Sequence, residues 1–310
     1  MWRSRGVGAT WTLDSADDTS KGVASTVIGS LYSEVWGTDV RVVELATGER
    51  QLQIGEAMDI HSVHLPHGVK GHKSVTEGTR NYAVGARPPV DDDDLSTGCY
   101  WDDLALVPSL MDVKRDPPVV GILGLGGGTV ATLIRALYPE VQVEAWEIDG
   151  AVVELAHAFL GLPRDDPGLV VHIGDAFDAN KGSSSSKVGF GALVVDLWGD
   201  EGTIPELARP GAWSDLLRML ARPDDGRLAA NIWNDAPSLA ALQAGAARPV
   251  FWKQAHGAEE NLSVFTGERP GSLAEWQDLG GGHLLLPPCL VPHARACFLD
   301  AAGTSGQEHF

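Results

Sequence analysis

Hydrophobic and polar positions alternate in short stretches between residues 26 and 66. The segment Asp39-Val-Arg-Val-Val-Glu-Leu alternates in places, and Arg50-Gln-Leu-Gln-Ile continues the pattern after the turn Ala46-Thr-Gly-Glu. Gly48 in that turn can adopt the positive φ that a tight hairpin needs. The pattern therefore predicts strands joined as β-hairpins, without helices, over this part of the chain.

The pattern changes after Pro117 and Pro118. Short apolar runs, typical of buried strands, now alternate with segments that have apolar residues at helical spacing. Predicted strands begin at Val119, Val141, Leu169, Leu193 and Arg227, and predicted helices lie at 129–138, 151–160, 213–220 and 238–245. Strands that alternate with helices form βαβ units. We therefore predict an α/β fold with a Rossmann-like, doubly wound and mostly parallel sheet.

These patterns divide the chain into three predicted parts. Residues 1–25 are small and polar, and we expect them to be loosely ordered. Residues 26–114 form a small N-terminal β-hairpin domain with an acidic loop, in which Asp91–Asp94 repel one another and stay solvated. Residues 115–310 form the larger, Rossmann-like domain. A length of 310 residues fits about two domains of ordinary size.

Charge and cysteine content narrow the function. The chain has 23 Lys plus Arg against 42 Asp plus Glu, a net charge of −19, which argues against a nucleic-acid partner and mildly favours a cationic one, such as an amine. Three cysteines without a CxxC pair indicate a reducing compartment, so we predict a cytoplasmic protein. We predict no membrane association, because no apolar run reaches the roughly 18 residues of a span.

Four glycines follow the first strand of the predicted larger domain. Gly124-Leu-Gly126-Gly-Gly128 ends that strand and opens a helix. Glycines there let a ligand approach the backbone, and the helix N-terminus adds free N–H groups. Glu147 ends the next strand, where a carboxylate can accept hydrogen bonds from both ribose hydroxyls. This context favours a nucleoside site over a turn that is merely tightly packed.

The spacing of the glycines indicates which nucleoside to expect. A dinucleotide fold prefers G-x-G-x-x-G, but Thr129 occupies the last position, and G-x-G-x-G is common where no pyrophosphate is held, as with S-adenosylmethionine. Asp175, followed by Ala176, ends the third strand, and Asp196 ends the fourth. Because ligands of open α/β sheets lie beyond the carboxyl ends of the strands, we expect these acids and the glycine turn to meet in one crevice.

With these blocks in this order, the sequence resembles the spermidine-synthase-like family. That family is the aminopropyltransferase branch of the class I S-adenosylmethionine-dependent transferase fold. The matching stretches are Gly121-Ile-Leu-Gly-Leu-Gly-Gly-Gly-Thr, Glu144-Ala-Trp-Glu-Ile-Asp, Val171-His-Ile-Gly-Asp-Ala and Val194-Val-Asp-Leu-Trp-Gly-Asp-Glu-Gly-Thr-Ile-Pro. The segment 39–59 also looks like the family's small N-terminal β-domain. The resemblance covers roughly residues 25–255.

The resemblance implies a ligand and a role for each matching position. S-adenosylmethionine or its decarboxylated form would bind as co-substrate, without a metal. The residues implied for this nucleoside are Gly124, Gly126, Gly128, Glu147, Asp175 and Ala176. The resemblance assigns Asp196 and Asp200 to catalysis, since the acid at the first of these positions orients and deprotonates the attacking amine in aminopropyltransferases. We expect a small-molecule amine acceptor and, because relatives commonly dimerise, a homodimer.

Three positions depart from the family's pattern. The glycine loop usually carries an Asp that binds the amino group of the decarboxylated nucleoside, and here that position is Gly127. The usual D-[ST]-x-D-P reads Asp196-Leu-Trp-Gly-Asp200, and the usual Tyr-His pair corresponds to Tyr100-Trp101. Three hypotheses follow: a transferase of an aminopropyl or methyl group, a non-catalytic nucleoside-binding scaffold, and an NAD-dependent oxidoreductase, which Thr129 disfavours.

The remaining residue clusters predict less. Four histidines lie between residues 61 and 72 without a nearby cysteine, so loop histidines are favoured over a zinc site. Trp101 and Trp198 are candidates either for the wall of an amine pocket, through cation–π contact, or for packing in the core or at its rim. Beyond about residue 270 the sequence shows no readable chemistry.

Overall fold

The computed structural model describes residues 25–55, 59–64, 96–112, 114–179, 188–199, 202–209, 211–255, 260–279 and 286–303. The predicted N-terminal tail up to residue 24, the acidic run Asp91–Asp94 and the catalytic candidate Asp200 lie outside these residues. The division into domains near residue 115 stays a prediction. None of the described helices combines the length and the apolar character that a bilayer crossing requires.

Strands and helices follow one another in the order that the sequence predicts. The strands are β1 Ser25–Ser33, β2 Thr38–Leu45, β3 Arg50–Ile54, β4 Asp59–His64, β5 Val119–Leu123, β6 Gln142–Glu147, β7 Leu169–Ile173, β8 Ala192–Val195, β9 Trp198–Gly199, β10 Gly202–Thr203, β11 Arg227–Trp233, β12 Val250–Gln254 and β13 Asn261–Thr266. The α-helices are α1 Tyr100–Leu104, α2 Thr129–Leu137, α3 Gly150–Phe159, α4 Ala212–Leu217, α5 Ala236–Ala246, α6 Leu273–Leu279 and α7 Val291–Gly303.

The first four strands form an antiparallel meander in the order β1-β2-β3-β4. Gly48 in the turn between β2 and β3 has a φ of 85°, as the predicted hairpin requires. Two of the histidines predicted to lie in a loop, His61 and His64, are instead part of β4. The loop prediction was wrong for these two residues, because both lie on a strand that pairs with β3, within the stretch 26–66 for which the alternation predicts strands.

The larger sheet has the order β12-β13-β11-β8-β5-β6-β7. The five strands β11, β8, β5, β6 and β7 are parallel to one another. At the other end of the sheet, β13 pairs antiparallel with β11, and β12 pairs antiparallel with β13. Helices cover both faces, and β8 is buried along its whole length. The predicted doubly wound, mostly parallel α/β fold is therefore confirmed. The sequence analysis missed β12 and β13, in which polar residues such as Lys253 and Gln254 interrupt the apolar pattern.

The helices begin where local chemistry satisfies their free N–H groups. Gly128 precedes α2 with a φ of 88°, a conformation that glycine adopts without strain. The Asp149 carboxylate accepts a hydrogen bond from the Ala151 N–H at 2.8 Å, which caps α3. The Asp235 carboxylate caps α5 in the same way through the Ser238 N–H at 2.6 Å. Helix α2 thus begins at the glycine turn without a side-chain cap, and the Asp149 cap starts α3 directly after the strand that ends at Glu147.

The N-terminal sheet packs against α3 and the glycine turn. A Cβ at Gly29 would lie 2.3 Å from the Phe159 ring, so only glycine permits the close approach of β1 to α3. The Arg50 guanidinium donates to the Phe159 carbonyl at 3.0 Å. On β4, the Val63 backbone exchanges two hydrogen bonds with the Thr129 hydroxyl, at 3.1 and 3.3 Å. The N-terminal sheet therefore covers the carboxyl edge of the larger sheet.

Candidate active site

A cavity of about 850 Å³ lies between the carboxyl ends of β5 to β8 and the N-terminal sheet. Every described residue that the sequence assigned to a nucleoside or acceptor is in its wall except Gly128. The structure thus brings Gly124, Glu147, Asp175 and Asp196 together in one crevice. This position, beyond the carboxyl ends of parallel strands, is the usual ligand site of open α/β sheets.

The glycine turn allows backbone to approach closely on two sides. Gly124 has a φ of 90°, and a Cβ there would lie 2.0 Å from the Asp196 carbonyl oxygen. A Cβ at Gly127 would lie 2.6 Å from both Ser62 Cβ and Leu160 Cδ1. The Gly127 N–H also donates to the Ser62 hydroxyl at 2.7 Å. An Asp at residue 127 would therefore need Ser62 and Leu160 to move, because these two side chains occupy the space beside the glycine.

Glu147 faces this turn from the end of β6. One carboxylate oxygen accepts from the Gly126 N–H at 2.8 Å, and the other accepts from the Asp149 N–H at 3.1 Å. Burial raises the pKa of the Glu147 carboxyl, while these N–H groups act against the rise. Each oxygen has capacity for a second hydrogen bond. The carboxylate is thus oriented by the backbone and lies at the cavity wall, where ribose hydroxyls can reach it.

Asp175 and Ala176 follow β7 at the opposite end of the cavity. The Asp175 carboxylate caps a short 3-10 turn by accepting from the Phe177 N–H at 2.8 Å, and its side chain is exposed. Ala176 is buried beside it. The capped turn presents a short, rigid edge with one free carboxylate oxygen. Such an edge can accept a hydrogen bond from an exocyclic amino group, the role that the resemblance implies for Asp175.

Asp196 lies in the middle of the cavity, directly after β8. One oxygen accepts from the Asn231 Nδ2 at 3.0 Å, and the Tyr100 hydroxyl lies 3.4 Å from the other. Burial raises the pKa of Asp196 to about 6 against the stabilising effect of its hydrogen-bond donors. Burial, followed by the Asp196 charge, raises the pKa of Tyr100 well above its usual range, so the phenol stays protonated and can donate. The arrangement suits a base that works near neutral pH.

The sequence analysis missed Asn231 as a functional candidate. This residue interrupts the apolar strand β11 and is almost fully buried, yet it lines the cavity. Its Nδ2 must point to the Asp196 carboxylate, which accepts and cannot donate. Its Oδ1 has no hydrogen-bond partner among the described residues. A buried polar atom without a partner costs stability, so this oxygen is suited to a donor on a bound molecule. A lone Asn in a buried strand was the available signal.

Aromatic rings line part of the cavity wall. Trp198 and Trp233 lie with ring centroids 5.8 Å apart, and Trp36 and His61 of the N-terminal sheet lie 6.2 Å apart. The predicted wall residue Trp101 also lines the cavity, with its ring centroid 4.8 Å from that of Tyr100. Faces of aromatic rings attract cations. These walls can therefore hold an alkyl ammonium group or an apolar substituent close to Asp196.

The cavity is acidic. Its described wall contains no Lys or Arg but five carboxyl residues, namely Glu147, Asp175, Asp196, Glu206 and Glu260. Over the described part of the chain, no group of three or more His, Cys, Asp and Glu residues is arranged to hold a metal ion. For His64 in particular, burial and the nearby Arg50 lower the pKa to about 4. The carboxyl residues of the described wall therefore favour a ligand that carries positive charge.

Comparison with known proteins gives two partial matches among curated proteins and none among protein-family models. A probable polyamine aminopropyl transferase of Bifidobacterium longum is 28% identical over 137 residues, which are 44% of this chain and 28% of that protein. An eEF1A lysine and N-terminal methyltransferase homolog of Drosophila melanogaster is 31% identical over 86 residues, 28% of this chain and 12% of that protein. The matches thus span less than a third of either relative.

A solved structure matches over most of the chain. The crystal structure of a probable spermidine synthase from Corynebacterium glutamicum superposes with a TM-score of 0.58 at 15% identity, and the match covers 82% of this chain and 88% of that one. At this identity the likeness concerns the fold. The chain therefore has the class I methyltransferase fold with an N-terminal antiparallel sheet, and its predicted resemblance to the spermidine-synthase-like proteins is confirmed at the level of architecture.

Proposed function

We propose that the protein is a transferase that binds S-adenosylmethionine or decarboxylated S-adenosylmethionine and transfers an aminopropyl or methyl group to a small amine. The observation that carries this proposal is the acidic cavity at the carboxyl edge of the sheet, with Asp196 at its centre. Both substrates of such a reaction are cations, a sulfonium and an ammonium. A wall of five carboxyl residues without a described Lys or Arg favours both of them.

The residues at the sheet edge fit an adenosyl group. Glu147 is held by two backbone N–H groups and retains acceptor capacity for the ribose hydroxyls. Gly126, with a φ of 53°, adds no side chain between this carboxylate and the cavity. Asp175 and Ala176 form the edge that would contact the adenine. When bound, the nucleoside supplies an electrophilic carbon next to its sulfonium sulfur.

The residues around Asp196 fit the acceptor amine. The Asp196 carboxylate and the unpaired Asn231 Oδ1 are two acceptors at one point of the cavity, and an amine has the donors to meet both. The carboxylate takes a proton from the ammonium, and the free nitrogen lone pair then forms the new N–C bond while the C–S bond breaks. The Trp198 and Trp233 rings hold the rest of the acceptor. Positioning of the two reactants accounts for much of the rate in such a displacement.

The same observations disfavour the other two hypotheses. A dinucleotide brings a diphosphate, and the described cavity wall has no cation to balance it. Thr129, which replaces the last glycine of a dinucleotide motif, is occupied in binding Val63 of the N-terminal sheet. A scaffold needs nucleoside binding alone and has no use for a buried carboxylate with a raised pKa at the acceptor position.

Turnover by Asp196→Asn tests the proposal. Purified protein is offered each sulfonium donor with a panel of small amines, and products are identified by mass. We expect product with the wild type, loss of turnover by about 100-fold or more in Asp196→Asn, and nearly unchanged nucleoside affinity. Asp215→Asn, an exposed carboxylate on α4 outside the cavity, is the matched control. Equal turnover by Asp196→Asn and the wild type would remove Asp196 from the reaction, and binding without any product would favour a scaffold.

Methyl transfer from S-adenosylmethionine itself is the second candidate, and Gly127 favours it. The family's acid for the amino group of the decarboxylated donor is absent there, and Ser62 and Leu160 occupy the space beside the glycine. The product mass decides between the two groups. We expect a competition titration of the two donors to show no preference for the decarboxylated form if methyl transfer is correct.

A further inference from the structure

Four charged side chains are buried together behind the wall of the cavity. Asp102 and Asp103 belong to α1, Lys253 to β12 and His293 to α7, and all four are almost completely buried. His293 Nε2 lies 3.1 Å from Asp102 Oδ2, and its Nδ1 lies 2.7 Å from Asp103 Oδ1. A neutral imidazole has one N–H only. Because both ring nitrogens face carboxylates, His293 is an imidazolium that bridges two neighbouring residues of one helix.

The two carboxylates are also tied to other elements. Asp103 Oδ2 accepts from the Lys253 ammonium at 2.8 Å and from the Ser263 hydroxyl at 2.7 Å. Two carboxylates and two cations leave this cluster without net charge, which a buried site requires. Helix α1 has five residues and follows the turn at residues 96–99. A helix so short has little stability of its own, so the cluster determines where it sits.

The cluster also shapes the segment that lines the site. The Asp102 carboxylate accepts from the Thr97 and Gly98 N–H groups, each at 2.8 Å, and so closes the turn before α1. Tyr100, the first residue of α1, is two positions from Asp102 and places its hydroxyl 3.4 Å from the Asp196 carboxylate. The position of that hydroxyl therefore depends on how firmly the buried charge cluster holds α1.

We propose that His293 is a positioning residue that holds the Tyr100 hydroxyl against Asp196 by bridging Asp102 and Asp103. It makes no contact with the cavity itself and acts through α1. The C-terminal helix α7 is thereby coupled to the acceptor side of the site, over 190 residues of sequence. The kinetic consequence rests on the proposed transferase function, but the structural consequence does not.

His293→Gln tests the proposal through amide hydrogen exchange and kinetics. Glutamine cannot bridge two carboxylates as a cation, so we expect faster exchange by about 10-fold at residues 97–104, with unchanged exchange at the glycine turn 124–128. With an acceptor that turns over, we expect kcat to fall about 10- to 100-fold and nucleoside affinity to stay within about 2-fold. Unchanged exchange at 97–104 would overturn the proposal, and so would faster exchange throughout the protein, which indicates a merely structural role.

Arg269→Gln is the matched control. Arg269 Nη1 donates to the Cys297 carbonyl at 3.1 Å and so attaches the same helix α7 without touching α1. We expect this variant to lose some stability but to keep the exchange pattern at 97–104 and the kcat of the wild type. A fall in kcat as large as that of His293→Gln would show that any loosening of α7 has this effect, and would overturn the specific role of His293.

Two further variants keep the test decisive. Tyr100→Phe removes the hydroxyl alone, and we expect His293→Gln to lower kcat little further in that background, because both changes act on one contact. Fully additive effects would contradict the proposal. If His293→Gln is not recovered folded, Asp103→Asn removes one of the two charges that face the imidazolium, leaves Asp102 bonded to the Thr97 and Gly98 N–H groups, and is read in the same way. Absence of turnover in the wild type would refute the proposed function, while the exchange measurements would still decide the role of His293.

Discussion

At the scale of the residue, the account depends on a partly buried carboxylate whose neighbouring hydrogen-bond donors are all neutral. Asp196 accepts from Asn231, with the Tyr100 hydroxyl nearby, and neither partner carries a charge that would hold its pKa low. Burial therefore prevails and raises the pKa to about 6. A folded-state pKa above the unfolded value means that the charged form costs stability above pH 6. A bound cation offsets that cost, which links the charge of Asp196 to ligand binding.

This pKa predicts the pH dependence of the reaction. The base is active when deprotonated, so we expect kcat/KM to rise with pH and to level off above a pKa near 6, measured from pH 5 to 8 with a working acceptor. The rise in kcat should occur at a lower pH than the rise in kcat/KM, because a bound sulfonium favours the charged carboxylate. Tyr100→Phe should move the rise to higher pH, since it removes a hydrogen-bond donor to the carboxylate. A profile that is flat over this range would exclude Asp196 as the base.

The cavity residues at the ends of β6, β7 and β8 could be predicted from single positions, but few of the other cavity residues could. Glu147, Asp175 and Asp196 end consecutive parallel strands, and the fold alone brings such residues to one edge. Asn231, in contrast, comes from β11, where one polar residue in an apolar strand has many explanations. The contact between Tyr100 and Asp196 joins residues 96 positions apart and depends on the docking of α1, which no local pattern encodes.

At the scale of the element, the glycine turn is a joint between β5, β8 and the N-terminal sheet. Gly124 lies against the backbone of Asp196, and Gly127 lies against Ser62 on β4. The turn therefore sets the distance between the carboxyl edge of the large sheet and the N-terminal sheet, which lie on the two sides of the cavity. A side chain at Gly124 would meet the Asp196 backbone, which cannot move away as a flexible side chain can, whereas one at Gly127 would meet the Ser62 and Leu160 side chains.

Gly124→Ala is expected to show this constraint. Its Cβ would lie 2.0 Å from the Asp196 carbonyl oxygen at a φ of 90°, so the strain of the dihedral adds to a backbone clash. Gly37→Ala is the control, because Gly37 has a φ of 65° with nothing within 4 Å of an added Cβ. We expect urea unfolding to show a loss of about 1–2 kcal/mol for Gly37→Ala and a clearly larger loss for Gly124→Ala. Equal losses would contradict the close approach at Gly124.

The element boundaries also show what sequence patterns can determine. Capping residues such as Asp149 and Asp235 announce helix starts, and the predicted helices there agree with the observed ones to within about two residues. The pair β12 and β13 went unpredicted because it is antiparallel and follows no βαβ unit. Helix α7 has Pro292 and His293 in its first turn. His293 attaches this helix to α1 by pairing with two carboxylates there, and no helical pattern in the sequence predicts such partners.

At the scale of the whole molecule, stability and function share the buried charge cluster. The two flanking carboxylates raise the pKa of His293 to about 9 in spite of its burial. The imidazolium and the Lys253 ammonium lower the pKa of Asp103. The charges thus support one another, and they tie α1, β12, β13 and α7 into one unit behind the active site.

The cluster predicts a loss of stability at alkaline pH. The pKa of His293 is near 6.5 in the unfolded chain and about 9 in the folded one. Its contribution is therefore complete below pH 6.5 and disappears as the pH rises through 9, a difference on the order of 3 kcal/mol. We expect urea unfolding from pH 6.5 to 9 to show this decline in the wild type and to show it greatly reduced in His293→Gln. A parallel decline in both proteins would contradict the imidazolium bridge.

The central claim is that Glu147 binds the ribose of an adenosyl ligand at the carboxyl edge of the sheet. The most direct test is a calorimetric titration of S-adenosylmethionine, 5′-methylthioadenosine and NAD into the wild type, Glu147→Gln and Glu154→Gln, the last an exposed glutamate on the neighbouring helix α3. We predict that S-adenosylmethionine and methylthioadenosine bind the wild type and Glu154→Gln equally, and that Glu147→Gln binds both roughly 5- to 100-fold more weakly. Equal affinity in Glu147→Gln, or binding of NAD alone, would contradict the account.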